Sequence, residues 1–458
     1  MGRYRRAAAV EAALAAGADL ILLDRELARE VRRRRPHAPL TVVPDVRRAY
    51  ARLTQLERGW PARHLIAVGV TGTNGKSSVA AWLHWVLTQL GHPTGLVGTV
   101  KVDRGRDVRP ATLTTPDARE LASHLEAMQA AGLTHVVMEA SSHGLDQRRT
   151  DGISFRVAVL TNFSADHLDY HATPGDYLAA KCRLFAGLAP GSTALLNADD
   201  PASPVMAAGA RHAQVLWYGQ DPRLPLTGQW QGEAAHVRLG SWAATAPLPG
   251  LGAHRLSNAL AVLGAAAALG EPPHRAWPAL LSYPGLVRRL QVISEPGDAV
   301  QVIDDCAHNP ANLAAAIRAG AARTRARLHI VYAIRGRRGA AVNALNAAAL
   351  AEHVPPSAQL HLTWALDLAA ADDAVSPEED QVYQEVLARA GRRHHAWPTA
   401  EGAMRAVLQD LKPHDTVLLL GAHAMDSAAE VWRRLVGSHQ ALRPTRAAGS
   451  SPIAAARG

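Results

Sequence analysis

The sequence predicts an α/β protein built on parallel sheets, and three observations lead to that prediction. Short apolar runs alternate with helical patterns over most of the chain, as expected for parallel strands joined by crossover helices. The length of 458 residues is too great for a single core and suggests three domains. The turn TGTNGK directly follows the apolar run IAVGV, which is the strand–loop–helix context in which glycine-rich turns bind phosphate.

We predict three folded segments and a tail. Residues 1–60 are expected to form a short α/β segment, residues 61–284 a central domain and residues 285–438 a third domain. Residues 439–458 are rich in Ala, Arg, Ser and Pro and are predicted to be disordered. The glycine- and proline-bearing stretch from Pro273 to Gly285 is predicted to be the hinge between the second and third segments.

The strands and helices follow from apolar runs and periodicity. The predicted strands are 19–23, 40–43, 65–70, 135–139, 157–161, 193–197, 299–304, 328–333, 359–363 and 416–420. The clearest predicted helices are 76–90 and 256–269. No internal repeat is visible.

Composition excludes several classes of protein. A hydrophobic content of 48% with 19% charged residues is ordinary for a soluble globular chain. No apolar run has the length of a membrane span, so we expect a cytoplasmic protein without membrane insertion. Cys182 and Cys306 are far apart and have no ligand spacing, which argues against disulfides and zinc.

The net charge of +9 is concentrated at the start of the chain. Residues 1–63 hold 14 arginines and seven acidic residues, a balance of +7, which leaves +2 for the rest. The densest cluster, Arg32 to Arg35, lies at a predicted helix end, where cations suit the helix dipole. A solvated face is therefore favoured over a nucleic-acid surface, and we expect no nucleic-acid partner.

Lysine is rare in this chain, and two of its four lysines stand in chemically suggestive runs. The lysines are Lys76, Lys101, Lys181 and Lys412, whereas all other cationic residues are arginine. Lys76 ends the glycine-rich turn, and Lys181 lies in YLAAKCRLF, after SADHLDYH. A compact ammonium beside a phosphate and a primary amine open to modification are roles that arginine cannot fill.

The glycine-rich turn predicts a phosphate site. Its residues are Gly72, Thr73, Asn74, Gly75, Lys76, Ser77 and Ser78. Backbone N–H groups and the helix N-terminus would face the phosphates, Lys76 would reach the β- and γ-phosphates, and Ser77 would ligate Mg²⁺. The spacing departs from the usual loop, because five residues instead of four separate Gly69 from Gly75. The alternative is a structural turn before a helix.

Several further motifs occur together with this turn. They are MEASSHGLDQRR, TNFSADHLDYH, YLAAKCRLF, LNADDP and DDCAHNP. In this order they resemble the Mur ligases of peptidoglycan synthesis, most closely the MurE type. The resemblance implies a three-domain architecture with a central P-loop parallel-sheet ATPase domain and a Rossmann-like C-terminal domain.

The resemblance also implies a metal site. Glu139 and His167 match Mg²⁺ ligands of the family, and Lys181 matches a lysine carried as a carbamate, a modification that gives an anionic oxygen ligand. With Ser77 these residues would form the metal site, and Lys76, His167 and Lys181 would be the catalytic residues. The alternatives are a solvated strand end for Glu139, a core histidine and an exposed helix lysine.

Substrate and nucleotide residues are carried over in the same way. Those matching the muramoyl-peptide site are Thr114, Thr115, Pro116, Ser141, Gln147 and Arg149; those matching nucleotide contacts are Asn258, Arg289, Asp305 and His308. Arg255 stands where the family usually has asparagine, and Cys306 where it commonly has tyrosine. The details of the nucleotide contacts are therefore expected to differ.

Two regions depart from the family. Segment 1–60 begins about where the family's uridine-binding domain is half complete, so we expect either altered UDP recognition or an upstream start codon. The stretch LTWALDLAAADDAVSPEED replaces the Asp-Asn-Pro-Arg signature for diaminopimelate, and LGAHAMD replaces a Gly-Lys-Gly-His-Glu run. Another acceptor, such as lysine or ornithine, is the resulting hypothesis.

The predicted function is ATP-dependent amide bond formation, through an acyl phosphate, on the D-glutamyl carboxylate of UDP-N-acetylmuramoyl-L-alanyl-D-glutamate. ATP and Mg²⁺ are the expected cofactors, a UDP-linked muramoyl peptide and an amino acid the substrates, and the monomer the expected state. One alternative is a related ligase acting on another carboxylate, as in cyanophycin or folylpolyglutamate synthesis. Another is a noncatalytic nucleotide-binding paralogue.

Overall fold

The computed structural model describes residues 3–437, except residues 165, 168, 169 and 296. The predicted disordered tail at 439–458 lies outside the described residues. Residues up to 249 and 256–283 form one compact unit, whereas 250–255 and the residues from 284 onward form a second. The parallel α/β class expected from the sequence is confirmed in both units.

The α-helices begin and end as follows: α1 Arg3–Ala15, α2 Arg25–Arg34, α3 Val46–Glu57, α4 Lys76–Gln89, α5 Ala118–Ala130, α6 Ser142–Asp146, α7 Pro174–Ala186, α8 Ser203–Gly209, α9 Arg255–Ala268, α10 Pro273–Leu281, α11 Pro310–Ala321, α12 Ala340–His353, α13 Pro377–Arg389, α14 Ala400–Asp410 and α15 Ala428–Gly437. Short 3₁₀ helices occupy Pro61–His64, Ala371–Asp373 and His423–Met425.

The strands are β1 Ile21–Leu23, β2 Leu40–Val42, β3 Ile66–Thr71, β4 Thr94–Val97, β5 Lys101–Asp103, β6 Val108–Pro110, β7 His135–Glu139, β8 Phe155–Leu160, β9 Thr193–Asn197, β10 Gln214–Gly219, β11 Leu226–Gln231, β12 Ala234–Leu239, β13 Trp242–Pro247, β14 Gln291–Val292, β15 Gln301–Asp305, β16 Leu328–Ala333, β17 Gln359–Thr363, β18 His395–Trp397 and β19 Thr416–Leu420. Five of the predicted strands (β7, β9, β16, β17 and β19) have the predicted bounds, and the others differ by at most two residues at either end.

The first unit contains an eleven-stranded sheet with the order β13-β12-β11-β10-β9-β8-β3-β7-β4-β5-β6. Its centre is parallel: Val70 pairs with Glu139, and Thr71 pairs with Leu160. The carboxyl ends of β3, β7, β8 and β4 therefore meet at one edge, where ligands of open α/β sheets bind. A small parallel pair, β1 and β2, forms a separate sheet within the same unit.

Both flanks of this sheet are antiparallel hairpins that the sequence analysis did not identify. On one side β11, β12 and β13 pair antiparallel, and on the other β4, β5 and β6 do so. The strand β13 alternates half-buried and exposed residues, which is typical of a sheet with one face on water. Its alanines give weak strand propensity, so the pattern is faint in the sequence.

The predicted hinge at Pro273–Gly285 is wrong over most of its length. Residues Pro273–Leu281 form α10, which starts with proline at a position where no N–H is needed. This helix buries Trp277 and Leu280, and its Leu280 carbonyl accepts the indole N–H of Trp82 at 2.8 Å. Packing of this apolar face outweighs the proline signal, and the boundary of the unit falls after Tyr283.

The second unit has a six-stranded sheet with the order β14-β15-β19-β16-β17-β18. All neighbouring pairs are parallel except β14 with β15. Its core has two clusters of buried residues, one with Ile303, Ile330 and Leu418 and the other with Val331, Val417 and Leu419. Residues that alternate along β16 and β19 thus point to opposite faces, as expected for a sheet covered by helices on both sides.

Glu379 holds together a turn in this second unit. Its side chain is 2% exposed and accepts the backbone N–H groups of Arg337, Arg338 and Gly339 at 3.0, 2.8 and 2.8 Å. It therefore caps the start of α12 from another element. Burial opposes ionisation of this carboxyl group, but the N–H donors outweigh it and lower the pKa of Glu379.

We expect Glu379→Gln to lower the free energy of unfolding by about 1–3 kcal/mol at pH 7, because a neutral amide replaces an acceptor for several N–H groups. Since the pKa is lowered in the folded state, the stabilisation is present above the ordinary glutamate pKa and disappears as the pH falls. Urea unfolding at pH 7 and pH 3.5 measures this, with Glu378→Gln as the control. An equal loss at both pH values would contradict the role of the charge.

Within residues 3–437, apart from the four gaps, no helix has both the length and the hydropathy that a bilayer crossing requires.

Candidate active site

The glycine-rich turn joins β3 to α4 at the carboxyl edge of the first unit's sheet. Gly72 has φ +148°, and a Cβ there would lie 1.9 Å from the Thr161 hydroxyl. Gly75 has φ +82°, and a Cβ there would lie 2.9 Å from the amide oxygen of Asn258. Both positions therefore require glycine. Gly69 lies inside β3, so the loop itself consists of residues 72–75 and the spacing counted from Gly69 is not a feature of the turn.

The composition at the start of α4 suits a bound anion. Ser77 and Ser78 lie in its first turn, and no acidic residue does, which suits an anion at a helix N-terminus. Asn258, on α9, lies against the loop at Gly75, and its contact with the nucleotide stays a prediction. The backbone N–H of Asn74 donates to the Asn162 side chain at 2.9 Å, a neighbour that the sequence analysis did not identify.

Two lysines converge on one carbonyl oxygen. The Nζ atoms of Lys76 and Lys181 lie 3.0 and 2.7 Å from the oxygen of Gly72. Lys181 is 1% exposed, which excludes the alternative of an exposed helix lysine, and its Nζ lies 4.5 Å from the centre of the Tyr177 ring. Burial, and then the charge of Lys76, hold the pKa of Lys181 well below its usual range.

Glu139 lies next to this pair, at the end of β7. It is 2% exposed, so it is not a solvated strand end. The hydroxyl of Ser77 donates to its Oε2 at 2.9 Å, while Thr99 donates from its backbone N–H to Oε1 at 2.7 Å and from its hydroxyl to Oε2 at 3.0 Å. The structure thus brings together Ser77 and Glu139, two of the predicted metal ligands.

His167 belongs to the same neighbourhood. Its side chain is 42% exposed, unlike a core histidine, and its ring centre lies 5.0 Å from that of His143 and 5.9 Å from that of Tyr177. Desolvation by the surrounding protein lowers the pKa of His167 to about 4, with further lowering by Lys76 and Lys181 and an opposing effect of Asp166. Its imidazole is therefore neutral at pH 7 and able to act as a ligand.

A metal ion at this edge would need more than ordinary acidic and histidine ligands. Within the described part of the chain, no group of three or more His, Cys, Asp or Glu side chains could hold a metal ion. A hydroxyl from Ser77 and a carbamate on Lys181 would add hard oxygen ligands to Glu139, the donor type that Mg²⁺ prefers. The buried, weakly basic amine fits such a modification.

The predicted substrate residues gather around Thr115. Its side chain is fully buried, and its hydroxyl donates to the Glu139 carbonyl at 2.7 Å and accepts the Ser141 N–H at 2.9 Å. Arg149 donates to the Thr115 carbonyl at 2.6 Å and to the Gln147 amide oxygen at 2.8 Å. The hydroxyl of Thr115 is thus engaged by protein, and this residue sets the position of its neighbours.

Thr114 and Pro116 flank Thr115 on the loop before α5. The hydroxyl of Thr114 lies 3.0 Å from that of Thr99, whereas Pro116 is buried. Thr99 follows the apolar strand β4 in the run VGTV. A polar residue after a buried strand was the only sequence signal for it, and many turns share that signal.

The other predicted nucleotide residues cluster in the second unit, at the end of β15. Asp305 is 8% exposed and accepts the Leu290 N–H at 2.7 Å. Burial raises the pKa of Asp305, with Arg289 and His308 opposing, so these three side chains share one neighbourhood. The His308 ring lies 2.6 Å from the Cys306 carbonyl.

Arg288, beside the predicted Arg289, was missed. It is buried, with φ +56°. Its guanidinium contacts Asp304 at 3.3 Å, Asp426 and the Ala422 carbonyl. It holds the ends of β15 and β19 together.

Comparison with known families agrees with this geometry. Residues 70–266 match the Mur ligase middle domain, and residues 288–423 match the Mur ligase glutamate ligase domain. A protein of Alkalilimnicola ehrlichii named UDP-N-acetylmuramoyl-L-alanyl-D-glutamate--2,6-diaminopimelate ligase is 34% identical over 428 residues, which are 89% of this chain and 83% of that protein. The chain belongs to the Mur ligase family.

Other relatives match over a shorter region. A protein of the same name from Caulobacter vibrioides is 36% identical over 66% of this chain and 64% of its own length. One from Thermosynechococcus vestitus is 36% identical over 67% of this chain and 62% of its own length. The chain thus spans somewhat less than two thirds of these two relatives.

Solved structures share the fold of this Mur ligase. A UDP-N-acetylmuramoyl-L-alanyl-D-glutamate--2,6-diaminopimelate ligase superposes with a TM-score of 0.64 at 23% identity, over 94% of this chain and 90% of that one. Folylpolyglutamate synthase of Mycobacterium tuberculosis, complexed with ADP and AMPPCP, superposes with a TM-score of 0.65 at 18% identity, over 86% of this chain and 96% of that one.

Proposed function

We propose that this Mur ligase joins an amino acid to the D-glutamyl carboxylate of UDP-N-acetylmuramoyl-L-alanyl-D-glutamate, with ATP as the energy source, in peptidoglycan synthesis. The names of the relatives support the substrate and the reaction. The observation that carries the proposal is the cluster at the sheet edge, where Lys76 and Lys181 meet at Gly72 while Ser77 and Glu139 lie in contact. A paralogue that only binds nucleotide would have no need of the buried Lys181.

The reaction would begin with phosphoryl transfer. A carboxylate oxygen of the D-glutamyl group attacks the γ-phosphorus of ATP, and ADP leaves. Lys76, at the N-terminus of α4, would neutralise negative charge on the transferring group. Ser77, Glu139, His167 and a carbamylated Lys181 would hold Mg²⁺, which when bound supplies charge neutralisation at the phosphate oxygens.

The second step would form the amide. The amino group of the acceptor attacks the acyl carbon, loses a proton, and the bond from that carbon to the phosphate oxygen breaks. Thr114, Thr115, Pro116, Ser141, Gln147 and Arg149 would hold the peptide portion of the substrate. Arg149 would supply the cation for a carboxylate of that portion. Asn258, Arg289, Asp305 and His308 would contact the nucleotide.

The identity of the acceptor is a separate part of the proposal, and it rests on the run LTWALDLAAADDAVSPEED, which lacks the Asp-Asn-Pro-Arg signature. In the loop after β17, Asp367 accepts the backbone N–H groups of Ala400 and Glu401 at 2.8 and 3.0 Å. The indole of Trp364 donates to Asp380 at 2.8 Å. These contacts position the loop but do not distinguish one acceptor from another. We keep lysine and ornithine as the candidates, because the diaminopimelate signature is missing from the sequence.

The organisation of the chain also enters the proposal. We propose that residues 1–60 bind the UDP-linked substrate, that residues 61–284 bind ATP and that residues 285–438 form the C-terminal Mur ligase domain, and we expect a monomer. The boundary after Tyr283 supports the division between the second and third segments. Residues up to 60 belong to the same compact unit as the central segment, within which β1 and β2 form a separate sheet.

Phosphate release tests the proposal. Purified protein with ATP, Mg²⁺ and UDP-N-acetylmuramoyl-L-alanyl-D-glutamate should release phosphate only when the right amino acid is added from a panel of L-lysine, L-ornithine and meso-diaminopimelate. Mass spectrometry of the product identifies the amino acid that has been joined. Release with no member of the panel would contradict the proposal, and release with a folate substrate instead would favour the other ligase class.

A further inference from the structure

Thr99 has no role in the reaction as described above, yet it contacts three residues of the site. It lies in the tight turn between β4 and β5, which the Gly98 N–H closes by donating to the Lys101 carbonyl at 3.1 Å. Its hydroxyl lies 3.0 Å from Glu139 Oε2, 3.0 Å from the Thr114 hydroxyl and 3.5 Å from the Ser77 hydroxyl. It stands between the carboxylate and the substrate loop.

The turn is shaped to bring Thr99 to Glu139. A Cβ at Gly98 would lie 2.6 Å from Glu139 Oε1, so the backbone reaches the carboxylate only because position 98 lacks a side chain. The backbone N–H of Thr99 then donates to the same oxygen at 2.7 Å. Thr99 therefore holds both oxygens of Glu139, one through its backbone and one through its hydroxyl.

The hydroxyl of Thr99 carries a single proton but has two acceptors. An ionised carboxylate is the stronger acceptor, so the proton points to Glu139 while that group bears its full charge. When a cation binds the carboxylate oxygens of Glu139, this group becomes a weaker acceptor, and the Thr99 hydroxyl can donate to the Thr114 hydroxyl instead. A change in the charge at Glu139 therefore alters the hydrogen bond between Thr99 and Thr114, on the loop that carries the predicted substrate residues.

We propose that Thr99 is a positioning residue that orients Glu139 for a divalent cation and links the cation site to the substrate loop through Thr114. The claim that Thr99 orients Glu139 depends only on the contacts of Glu139. The link to Thr114 rests on the proposed function, because it assumes that Thr114 faces the muramoyl peptide. Partners that orient a ligating carboxylate change metal affinity by about 10- to 100-fold when removed.

The first experiment measures cation binding, without any turnover. Mn²⁺ replaces Mg²⁺ as a probe, and its binding to the full chain with ADP is followed by electron paramagnetic resonance. Thr99→Val, which keeps the backbone N–H, should weaken Mn²⁺ binding about tenfold or more. Thr99→Ser should stay within about twofold of the parent. The control is Thr112→Val, whose hydroxyl contacts Glu120 outside the site.

The second experiment measures the link to the substrate loop. Calorimetry gives the affinity for UDP-N-acetylmuramoyl-L-alanyl-D-glutamate with ADP, in the presence and absence of Mg²⁺. In the parent and in Thr99→Ser, Mg²⁺ should change this affinity. In Thr99→Val, the affinities with and without Mg²⁺ should agree within about twofold. Thermal unfolding verifies folding, and Thr99→Ala replaces the valine variant if valine disturbs the turn.

Mn²⁺ affinity in Thr99→Val or Thr99→Ala equal to that of the parent would overturn the proposal, as would equal losses in Thr99→Ser and Thr99→Val. A parent that binds no Mn²⁺ with ADP would overturn it as well. A parent that binds Mn²⁺ and ADP but joins no amino acid would contradict the proposed function alone, since the cation experiment still decides the role of Thr99.

Discussion

Replacing Lys181 with alanine is expected to lower kcat/KM at least about a thousandfold, with the protein still folded. Loss of a charged group that stabilises the transition state commonly costs two to three orders of magnitude, and here a metal ligand would be lost as well. Phosphate release with the muramoyl dipeptide, ATP and the best acceptor measures the effect. Circular dichroism verifies the fold.

The environment of Lys181 explains why the effect should be so large. The amine is 1% exposed and lies 2.7 Å from the Gly72 carbonyl, which Lys76 also contacts. Two ammonium groups at one carbonyl repel each other, and burial disfavours the charged form of Lys181 further. Because its pKa is lowered, the amine has the free lone pair needed to add CO₂ with release of a proton. The carbamate would turn the repulsion into attraction for Lys76 and a divalent cation.

Variants at this position separate the carbamate from other roles. Lys181→Arg keeps a cation but cannot carry a carbamate, so it should be as inactive as the alanine variant. A short carboxylic acid such as acetate should partly restore Lys181→Ala and leave Lys181→Arg inactive. Lys101→Ala, which removes a partly exposed lysine paired with Asp103 at 3.4 Å, should keep full activity. Full activity in Lys181→Arg would show that no carbamate is needed.

Local signals in the sequence were sufficient for the part of the site that lies in strand–turn–helix context. The run IAVGVTGTNGK predicted β3, the loop and α4, because an apolar strand followed by glycines has few other interpretations. The structure shows that Gly72 and Gly75 leave no room for a side chain. The central strands were predicted because buried parallel strands are continuous apolar runs. The family resemblance, rather than a local signal, placed Ser77 and Glu139 in one metal site. The structure brings them into contact at the carboxyl edge of the neighbouring strands β3 and β7.

The parts of the site and fold that the sequence did not predict depend on contacts between residues far apart in sequence. Thr99 is 40 residues from Glu139, and its role appears only when β4 and β7 pair. Arg288 was overlooked because its partners Asp304 and Asp426 are 16 and 138 residues away. The helix α10 was missed because its prolines suggest a linker, whereas tertiary burial of Trp277 and Leu280 decides the outcome.

Replacing Arg288 with alanine is expected to lower the free energy of unfolding by about 3–5 kcal/mol at pH 8, because it leaves a buried carboxylate without its cation. Asp304 is fully buried, and its Oδ2 has no hydrogen-bond partner among the described residues. The contacts of Arg288 with Asp426 and with the carbonyls of Gly421 and Ala422 would be lost as well. Urea unfolding measures the change.

The pH dependence identifies Asp304 as the cause. Burial raises the pKa of Asp304 to about 6, against the lowering effect of Arg288. A carboxyl group with a raised folded pKa costs stability that grows as the pH rises from its unfolded pKa of about 4 through its folded pKa. Without Arg288 the folded pKa rises further, so the loss in the variant should be large at pH 8 and clearly smaller at pH 5.

Two companion variants separate the buried charge from backbone strain. Asp304→Asn removes the charge, so adding it to Arg288→Ala should recover much of the lost stability at pH 8 and little at pH 5. Arg288→Gly should lose less than Arg288→Ala, because φ +56° at this position is strained for any residue except glycine. If Arg288→Ala lost the same free energy at both pH values, and Asp304→Asn gave no recovery, Asp304 would not be the residue that Arg288 neutralises. The junction at the start of the second unit would then be held by the contacts of the guanidinium with the Gly421 and Ala422 carbonyls.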